Sequence, residues 1–425
     1  MFLAEELRNI QFKGFESLRW DKIFMRLQIE GECGCMKGLR PFIAAFAGLF
    51  LSPFLRNEKT NFEIKQYVGN KILCMQDNPD RQSNIRLFNS VCGLAKTDKL
   101  LGISITRRSA NNLFDGFKLC FLYIPSWWKS LLNTRLSIYW KAIIINRLIY
   151  LWHFQKETQA LDIDKYNLLV TYYDSALDQG FLTEIFKAHH KTTATLQHGI
   201  FTAWRENALV NSGVEFRSFH SDYFLAWNQF TIDEALKVGL DTSKFLKTGI
   251  IEYADSTCPC WINPANGTFG VVIGHPMFEE ENLKLIEAAN LLAKSIKKSF
   301  YLKLHPNYRS DYFDTYVDKH YYLGNIEKGI PIIDYANMVE FSFVGSSSVF
   351  VQLIYVSHDV IRYSDLGVKD KFRDIKIGKI FNNPSDIVEV YNANKGKDYT
   401  ADLFDYLCSV KDVASAYRNF FELYS

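Results

Sequence analysis

The sequence predicts an α/β fold with two doubly wound parallel sheets that face a cleft. From Lys165 onward, strand patterns alternate with helix patterns without hairpin signals, which is typical of parallel sheets. Residues 254–267 are rich in Pro, Gly, Asn and Ser, and the alternation restarts after them. The chain has 425 residues, of which 48% are hydrophobic, and a net charge of +2, so it is long enough for two or three domains and too apolar to be disordered.

These observations divide the chain into three regions. Residues 1–65 read as a helical extension without a clear strand, residues 66–255 as the first Rossmann-like domain and residues 268–425 as the second. The first strand is predicted at Lys71–Met75, followed by a polar loop and a helix.

Short runs rich in Val, Ile, Leu and Phe predict buried strands, and longer amphipathic stretches between them predict helices. In the first domain, strands are expected at Tyr166–Thr171, Thr193–Gln197, Asp222–Trp227 and Phe245–Ile251, with helices at Asp178–His190 and Thr231–Val238. In the second, strands are expected at Phe269–Ile273, Ser299–Leu304, Glu340–Val344 and Asp359–Tyr363, with helices at Glu280–Lys297 and Ser348–Val356.

An insertion in the first domain, residues 114–155, is both basic and aromatic. Its only acidic residue is Asp115, and it contains Trp127, Trp128, Trp140, Trp152, Lys118, Lys129, Arg135, Lys141 and Arg147. Such a segment suits an anionic membrane surface, a core helix pair with a solvated basic edge, or a partner helix. The near-neutral balance of the whole chain argues against nucleic acid as a partner.

Two further features bear on location. The uncharged run Pro41–Leu55 is shorter than the roughly 20 residues that span a bilayer, so it predicts a buried or interfacial helix. No secretory signal is evident, and the eight cysteines include no C-x-x-C pair, so free thiols in a reducing cytoplasm are expected.

Ligands of doubly wound sheets bind beyond the carboxyl ends of the strands, so the residues there are the candidate site. His198, between Gln197 and Gly199, follows a strand and could accept a proton from a hydroxyl. Lys303 and His305 close another strand and could share one face of it, where they would hold a phosphate.

Three other strand ends add candidates. Gly345 is followed by Ser346, Ser347 and Ser348, whose hydroxyls and N–H groups at a helix start suit an anion, although a plain helix cap needs only one of them. His275 could line the same cleft. Asp174 and Asp178 follow the strand at Tyr166–Thr171, and a carboxylate here could act as a general base or cap the next helix.

Dinucleotide-binding, Walker, zinc-protease and nucleophile-elbow motifs are all absent from the sequence, and no metal-ligand cluster is expected. Gln197-His198-Gly199, Lys303-Leu304-His305-Pro306 and Ser346-Ser347-Ser348, in this order, resemble motifs of bacterial surface-polysaccharide transferases of the glycosyltransferase-B fold. The resemblance covers residues 165–365 and touches two groups: sialyl- and polysialyltransferases, and CDP-glycerol glycerophosphotransferases of teichoic-acid synthesis.

This resemblance implies an acceptor domain over 66–255 and a nucleotide-donor domain over 268–425. His305, Ser346 and Ser347 would hold the donor phosphate, and His198 would lie near the reaction centre. Asp178-Gln179-Gly180 matches the acidic motif of the sialyltransferases only in part, and the serine motif lacks the acidic residue that follows it in the glycerophosphotransferases.

The resulting expectation is a glycosyltransferase that moves a sugar from a nucleotide-sugar donor to capsule, O-antigen or lipooligosaccharide, inverting and without an essential metal or other cofactor. It would be cytoplasmic, at the inner face of the plasma membrane if 114–155 docks there. The alternatives are a CDP-polyol phosphotransferase, a nucleotide-sugar 2-epimerase and a non-catalytic glycan-binding protein.

Overall fold

The computed structural model of the chain describes most of both predicted domains and part of the N-terminal region. The described residues are 2–16, 18–24, 49, 53, 55–57, 64–65, 71–76, 82–95, 98–101, 108–110, 113–159, 161–200, 219–237, 239–254, 264, 267–367 and 370–425. Most of the apolar run Pro41–Leu55, most of the linker at 254–267 and four of the eight cysteines lie outside them. None of the four described cysteines forms a disulfide.

The first sheet has seven strands. They are β2 (Ile64–Lys65), β3 (Ile72–Gln76), β4 (Asp98–Leu101), β6 (Leu168–Thr171), β7 (Thr192–Leu196), β8 (Tyr223–Ala226) and β9 (Phe245–Lys247). Their order is β2-β4-β3-β6-β7-β8-β9, and every pair is parallel except β2 with β4. Two more short strands, β1 (Leu55–Asn57) and β5 (Arg108–Ala110), pair antiparallel. The expectation of no strand before residue 65 is therefore wrong.

Helices cover both faces of this sheet, so its central strands are almost entirely buried. All four residues of β6 are buried. The helices that follow the strands are α3 (Gln82–Ala95), α7 (Leu177–Ala188) and α8 (Gln229–Lys237).

The second sheet has six strands, all parallel. They are β10 (Thr268–Val272), β11 (Ser299–Lys303), β12 (Tyr322–Ile326), β13 (Ser342–Val344), β14 (Val360–Tyr363) and β15 (Lys379–Phe381). Their order, β12-β11-β10-β13-β14-β15, is the doubly wound order whose switch point lies between the first and fourth strands in the chain. The crevice beyond β10 and β13 is therefore the place where a ligand is expected.

Six helices accompany the second sheet or follow it. They are α9 (Glu279–Ile296), α10 (Ile332–Met338), α11 (Val349–Tyr355), α12 (Ile387–Ala393), α13 (Thr400–Leu407) and α14 (Val413–Glu422). The last of these returns to the first half of the chain. The Tyr417 hydroxyl donates to the Gly249 carbonyl (3.3 Å), and Phe420 packs edge-on against Tyr223 (5.6 Å between ring centroids). All strands of the second sheet lie within the predicted bounds 268–425. The final helix, α14, packs against the first half of the chain instead.

The N-terminal helices and the basic-aromatic insertion form one apolar cluster. They are α1 (Phe2–Leu7), α2 (Trp20–Ile23), α4 (Leu113–Lys118), a π-helical turn (Leu119–Tyr123), α5 (Ile124–Leu132) and α6 (Ile138–Thr158). Trp20 and Trp127 are fully buried, and the Trp127 indole N–H donates to the Lys13 carbonyl (2.9 Å). Trp127 is thus a core residue, and the interpretation of the insertion as a core helix pair holds for its inner side. None of the helices among the described residues combines the length and apolarity needed to cross a membrane.

Candidate functional site

Two histidines meet at the switch-point edge of the second sheet. His275 follows β10 and His305 follows β11, and these strands are neighbours. Their rings pack edge to face with centroids 4.9 Å apart and planes at 77°. His275 is exposed and His305 is half-buried. The two strand ends that the sequence predicts separately are therefore parts of one surface.

Both imidazoles are oriented in the same way. The Nδ1 of His275 accepts the Met277 backbone N–H, and the Nδ1 of His305 accepts the Asn307 backbone N–H, each at 3.2 Å. A neutral ring whose Nδ1 accepts carries its proton on Nε2, so His305 is set as a donor at Nε2. The side-chain amide nitrogen of Asn307, itself a donor, lies 3.2 Å from Nε2 of His275 and links the two strand ends. Both ring nitrogens of His275 therefore face N–H donors.

Lys303 lies at the same end of β11 but contacts other groups. Its Nζ is 3.5 Å from the Ile330 carbonyl and 5.6 Å from the centre of the Tyr335 ring. Burial, and then the positive charge of Arg86, lower the pKa of Lys303 to about 8. Lys303 thus turns toward the first domain, whereas His305 packs on His275.

Arg86 brings a positive charge from the first domain. It is on α3, and its guanidinium donates to the Gly329 carbonyl (2.7 Å) in the loop after β12. It also lies 3.6 Å from Glu252, and burial raises the pKa of that carboxyl although Arg86 opposes the rise. Arg86 from the first domain thus contributes positive charge near Lys303 of the second domain and is itself paired with Glu252.

The serine loop after β13 already holds an anion from its own chain. The backbone N–H and the hydroxyl of Ser346 both donate to the Glu281 carboxylate, at 2.7 and 2.8 Å. A Cβ at Gly345 would lie 2.0 Å from the same carboxylate, so only glycine fits there. Burial raises the pKa of Glu281 to about 7, although the Ser346 bonds oppose the rise. Contrary to expectation, Ser346 is 2% exposed and its donors face inward.

The other two serines remain at the surface. The Ser347 hydroxyl accepts the Val349 backbone N–H (3.3 Å), and Ser347 and Ser348 are half-buried. Ser348 is the cap residue of α11 but makes no side-chain cap bond. The loop therefore contains one serine that binds Glu281 in the interior and two serines that a ligand could reach.

This separation gives a first prediction. Ser346→Ala should lower the free energy of unfolding by about 1–3 kcal/mol, because it removes a hydroxyl bond to a buried carboxylate. Ser347→Ala should leave the unfolding free energy nearly unchanged and weaken binding of the cognate nucleotide. Urea unfolding and calorimetry of both variants measure the two effects. Equal nucleotide affinity in wild type and Ser347→Ala would mean that Ser347 only caps α11.

His198 lies beyond β7 in the first domain and is half-buried. Its ring packs against Tyr172 and Tyr173, with centroids 4.9 and 4.7 Å away. Residues 201–218, which follow it, lie outside the described residues. Gly199 is half-buried, and a Cβ built on it meets no atom of the described residues within 4 Å.

Gln197 does not line a cleft, contrary to expectation. It is 1% exposed, and its side chain bonds to the Trp227 N–H (2.7 Å), the Thr231 hydroxyl (2.9 Å) and the Gly199 carbonyl (2.7 Å). This amide joins the ends of β7 and β8 and fixes the backbone that presents His198. Gln197 is thus a positioning residue in the first domain.

Asp174 is buried as well, at 2% exposure, so it does not line a cleft either. One of its carboxylate oxygens accepts the N–H groups of His220 and Ser221 and the Ser221 hydroxyl. Asp178 is half-buried in the first turn of α7, where it accepts the Gln179 N–H (3.0 Å). Gln179 is 1% exposed and accepts the Tyr173 N–H, so of the predicted carboxylates only Asp178 reaches the surface.

Comparisons with known proteins bear on the fold. No family model and no curated protein matches the chain. The S. aureus MnaA–UDP structure is similar to this chain, with 10% sequence identity and a TM-score of 0.51. The similarity covers 81% of this chain and 94% of the MnaA chain. A putative UDP-N-acetylglucosamine 2-epimerase from Listeria monocytogenes is 12% identical over 83% of this chain and 94% of that chain, with a TM-score of 0.52.

The chain has the glycosyltransferase-B type of fold. The predicted pair of Rossmann-like domains is confirmed by both its sheets and these two structures. The wall teichoic acid polymerase TagF soaked with CDPG is 10% identical over 95% of this chain and 96% of that chain, with a TM-score of 0.43, a likeness too low to carry an argument. At such identities the fold alone is shared.

Two residues of the site escape sequence reasoning. Glu281 belongs to a run of three glutamates in the first turn of α9, where acidic residues are ordinary. Arg86 is one basic residue of an amphipathic helix, and nothing nearby in the sequence points to Lys303. Within the described residues, no group of three or more His, Cys, Asp or Glu is placed to hold a metal ion.

Proposed function

We propose that the chain is a glycosyltransferase that moves a sugar from a nucleotide-sugar donor to a bacterial surface glycan, such as capsule, O-antigen or lipooligosaccharide. The observation that carries the proposal is the His275–His305 pair, two imidazoles in contact at the switch-point edge of the second sheet, of which His305 is set as an Nε2 donor. The leaving group of a nucleotide-sugar is a phosphate, and N–H donors at this edge would stabilise the charge that develops on it.

The donor phosphate group would lie between these imidazoles and the cations Lys303 and Arg86. Imidazole N–H groups give directional bonds, and the two cations give the charge that a diphosphate requires. The pKa of Lys303 is lowered to about 8, so its amine is still protonated at neutral pH. An anionic neighbour would stabilise this partly buried positive charge. Ser347 and Ser348 would add hydroxyl contacts.

The reaction would be a single displacement. The acceptor hydroxyl oxygen bonds to the anomeric carbon as the bond from that carbon to the phosphate oxygen breaks, and the configuration inverts. The hydroxyl proton passes to a base, and the nucleotide leaves with the bonding electron pair. The Nε2 donor of His305 stabilises the charge that develops on the leaving oxygen.

The base would come from the first domain, as His198 or Asp178. Tyr172 and Tyr173 hold the imidazole of His198 on two sides, which supports a fixed orientation toward the acceptor. Asp178 is the alternative because its carboxylate is half-buried at the start of a helix. Activity of His198→Gln and Asp178→Asn separates the two, since only the base should cost several orders of magnitude.

The direct test measures donor and product. Thermal-shift screening against CMP, CDP, UDP, GDP and their sugars identifies the nucleotide, and product analysis follows with and without a glycan acceptor. Sugar transfer that requires acceptor supports the proposal. An epimerised donor formed without acceptor, transfer of polyol phosphate from a CDP-polyol, or glycan binding without turnover would each replace it with the corresponding alternative.

A second prediction concerns metal ions. We expect EDTA to leave turnover within about twofold of its untreated value, because Lys303 and Arg86 supply the positive charge that a divalent ion gives in other transferases. The measurement is turnover in EDTA, then with added Mg²⁺ or Mn²⁺. Loss of turnover that either ion restores would contradict the prediction and point to a metal bound with the donor.

A further inference from the structure

The helical segment 113–132, which consists of α4, the π-helical turn and α5, carries an exposed apolar face. Between residues 114 and 122, four apolar side chains are more than half exposed: Phe114 (72%), Phe117 (52%), Phe121 (72%) and Leu122 (51%). Phe117 and Phe121 stack on each other with ring centroids 6.1 Å apart. We call these four residues the phenylalanine face.

The opposite side of the same segment is apolar too and belongs to the core. Leu119, Trp127 and Leu131 are fully buried, and the Trp127 indole N–H bonds to the Lys13 carbonyl. A helix that is apolar all round suits either a protein core or a lipid phase. Since only one side of this segment is in the core, the other side suits a second apolar medium.

The segment that carries the phenylalanine face is basic in sequence. Lys118 follows Phe117 directly, and Lys129, Arg135 and Arg147 lie further along the chain and are exposed. The one acidic residue of the segment, Asp115, is bonded to Lys156, and the backbone N–H of Arg135 donates to Glu6. An apolar face on a segment of net positive charge is complementary to a bilayer that contains anionic lipid.

We infer that the phenylalanine face docks the protein on an anionic membrane, with Phe117 and Phe121 in the headgroup–acyl boundary and Lys118 and Lys129 at the headgroups. Trp128 and Trp140, which the sequence also offers for such an interface, are half-buried. Trp127, which sequence alone would place there, anchors the segment to the core instead. The inference does not rest on the proposed function, because lipid binding is measured without donor or acceptor.

The test is co-sedimentation of the full chain with vesicles of phosphatidylcholine, with and without phosphatidylglycerol. The wild type should bind only the anionic vesicles, and its binding should fall with added salt. Phe117→Ser/Phe121→Ser should lower the partition coefficient by about tenfold or more, because the buried ring area is lost. Lys118→Gln/Lys129→Gln should lower it by about fivefold for each lysine and reduce its salt dependence.

The matched control is Leu236→Ser/Leu423→Ser, which removes two leucines that are 54% and 74% exposed elsewhere on the molecule. It should bind vesicles like the wild type. Thermal unfolding checks that the phenylalanine variant is folded, and the outward position of both rings predicts that it is. A wild type that ignores anionic vesicles, or a folded phenylalanine variant that binds like the wild type, would overturn the inference. So would a dimer in gel filtration that this variant abolishes, since the face would then be an interface between two copies.

Discussion

His305→Ala is expected to lower turnover of the nucleotide-sugar donor by about 100-fold or more, because one donor to the leaving phosphate is lost in a preorganised site. The fold should be retained, since His305 is half-buried beyond the end of β11 and its ring packs on the exposed His275. Steady-state kinetics with saturating acceptor measures the effect. His275→Ala should act in the same direction, because it removes the second ring of the pair.

The matched control for these variants is His320→Ala. This histidine is exposed in the turn before β12, and its ring packs edge-on against the neighbouring Tyr321, with centroids 4.6 Å apart. Its loss should leave turnover unchanged. A His305→Ala enzyme as active as the His320→Ala control would remove His305 from the donor site and leave the proposed function without its main support.

The central strands could be predicted from the sequence because a parallel strand buried on both faces is a continuous apolar run. The strand predicted at Ser299–Leu304 is observed at Ser299–Lys303, and its neighbour predicted at Phe269–Ile273 at Thr268–Val272. The edge strands β12 and β15 were missed. Tyr322–Ile326 contains Gly324 at positive φ and is only partly buried, and Lys379–Phe381 is three residues long, so neither has the pattern of a buried strand.

The candidate site was predictable where strand order alone decides it. His275 and His305 follow neighbouring strands, so their meeting needs no detail of side-chain packing. The partner of Ser346 was not predictable, because Glu281 is 65 residues away in the chain and reaches the loop only when α9 packs beside β13. Composition also fails to predict the location of Trp127. An indole has an apolar body and one N–H donor, so it suits a core that offers a backbone acceptor as well as a membrane surface.

A buried charged cluster in the first domain has the largest expected effect on stability. Asp174, Glu184 and His220 are all 5% exposed or less. The Nδ1 of His220 lies 2.7 Å from a Glu184 carboxylate oxygen, and its Nε2 lies 2.7 Å from the Asp174 carbonyl oxygen. Neither oxygen can donate, so both ring nitrogens must, and His220 is an imidazolium. The cluster joins His220 and Ser221 to α7 and to the end of β6.

Asp174→Ala should therefore lower the free energy of unfolding by about 3–5 kcal/mol, because it leaves three buried donors without their acceptor and removes one of the two carboxylate charges near the His220 imidazolium. The matched control, Asp178→Ala, removes a half-buried carboxylate from the first turn of α7 and should cost about 1 kcal/mol or less. Urea unfolding of both variants measures the difference in unfolding free energy. Equal losses would mean that the Asp174 bonds contribute no more than a helix-terminal charge.

The same cluster predicts how stability depends on pH. Burial alone would lower the pKa of His220, but the bond to Glu184 and the charges of Asp174 and Glu184 outweigh it, so the pKa is raised. The folded state thus holds a proton that the unfolded chain releases near its ordinary pKa of about 6.5. The stabilisation is complete below that pH and is lost as the pH rises through the higher folded pKa. Wild-type unfolding free energy should fall over this range, and His220→Gln, less stable at pH 6, should show a flatter profile. Parallel profiles for the two proteins would mean that His220 is neutral in the fold.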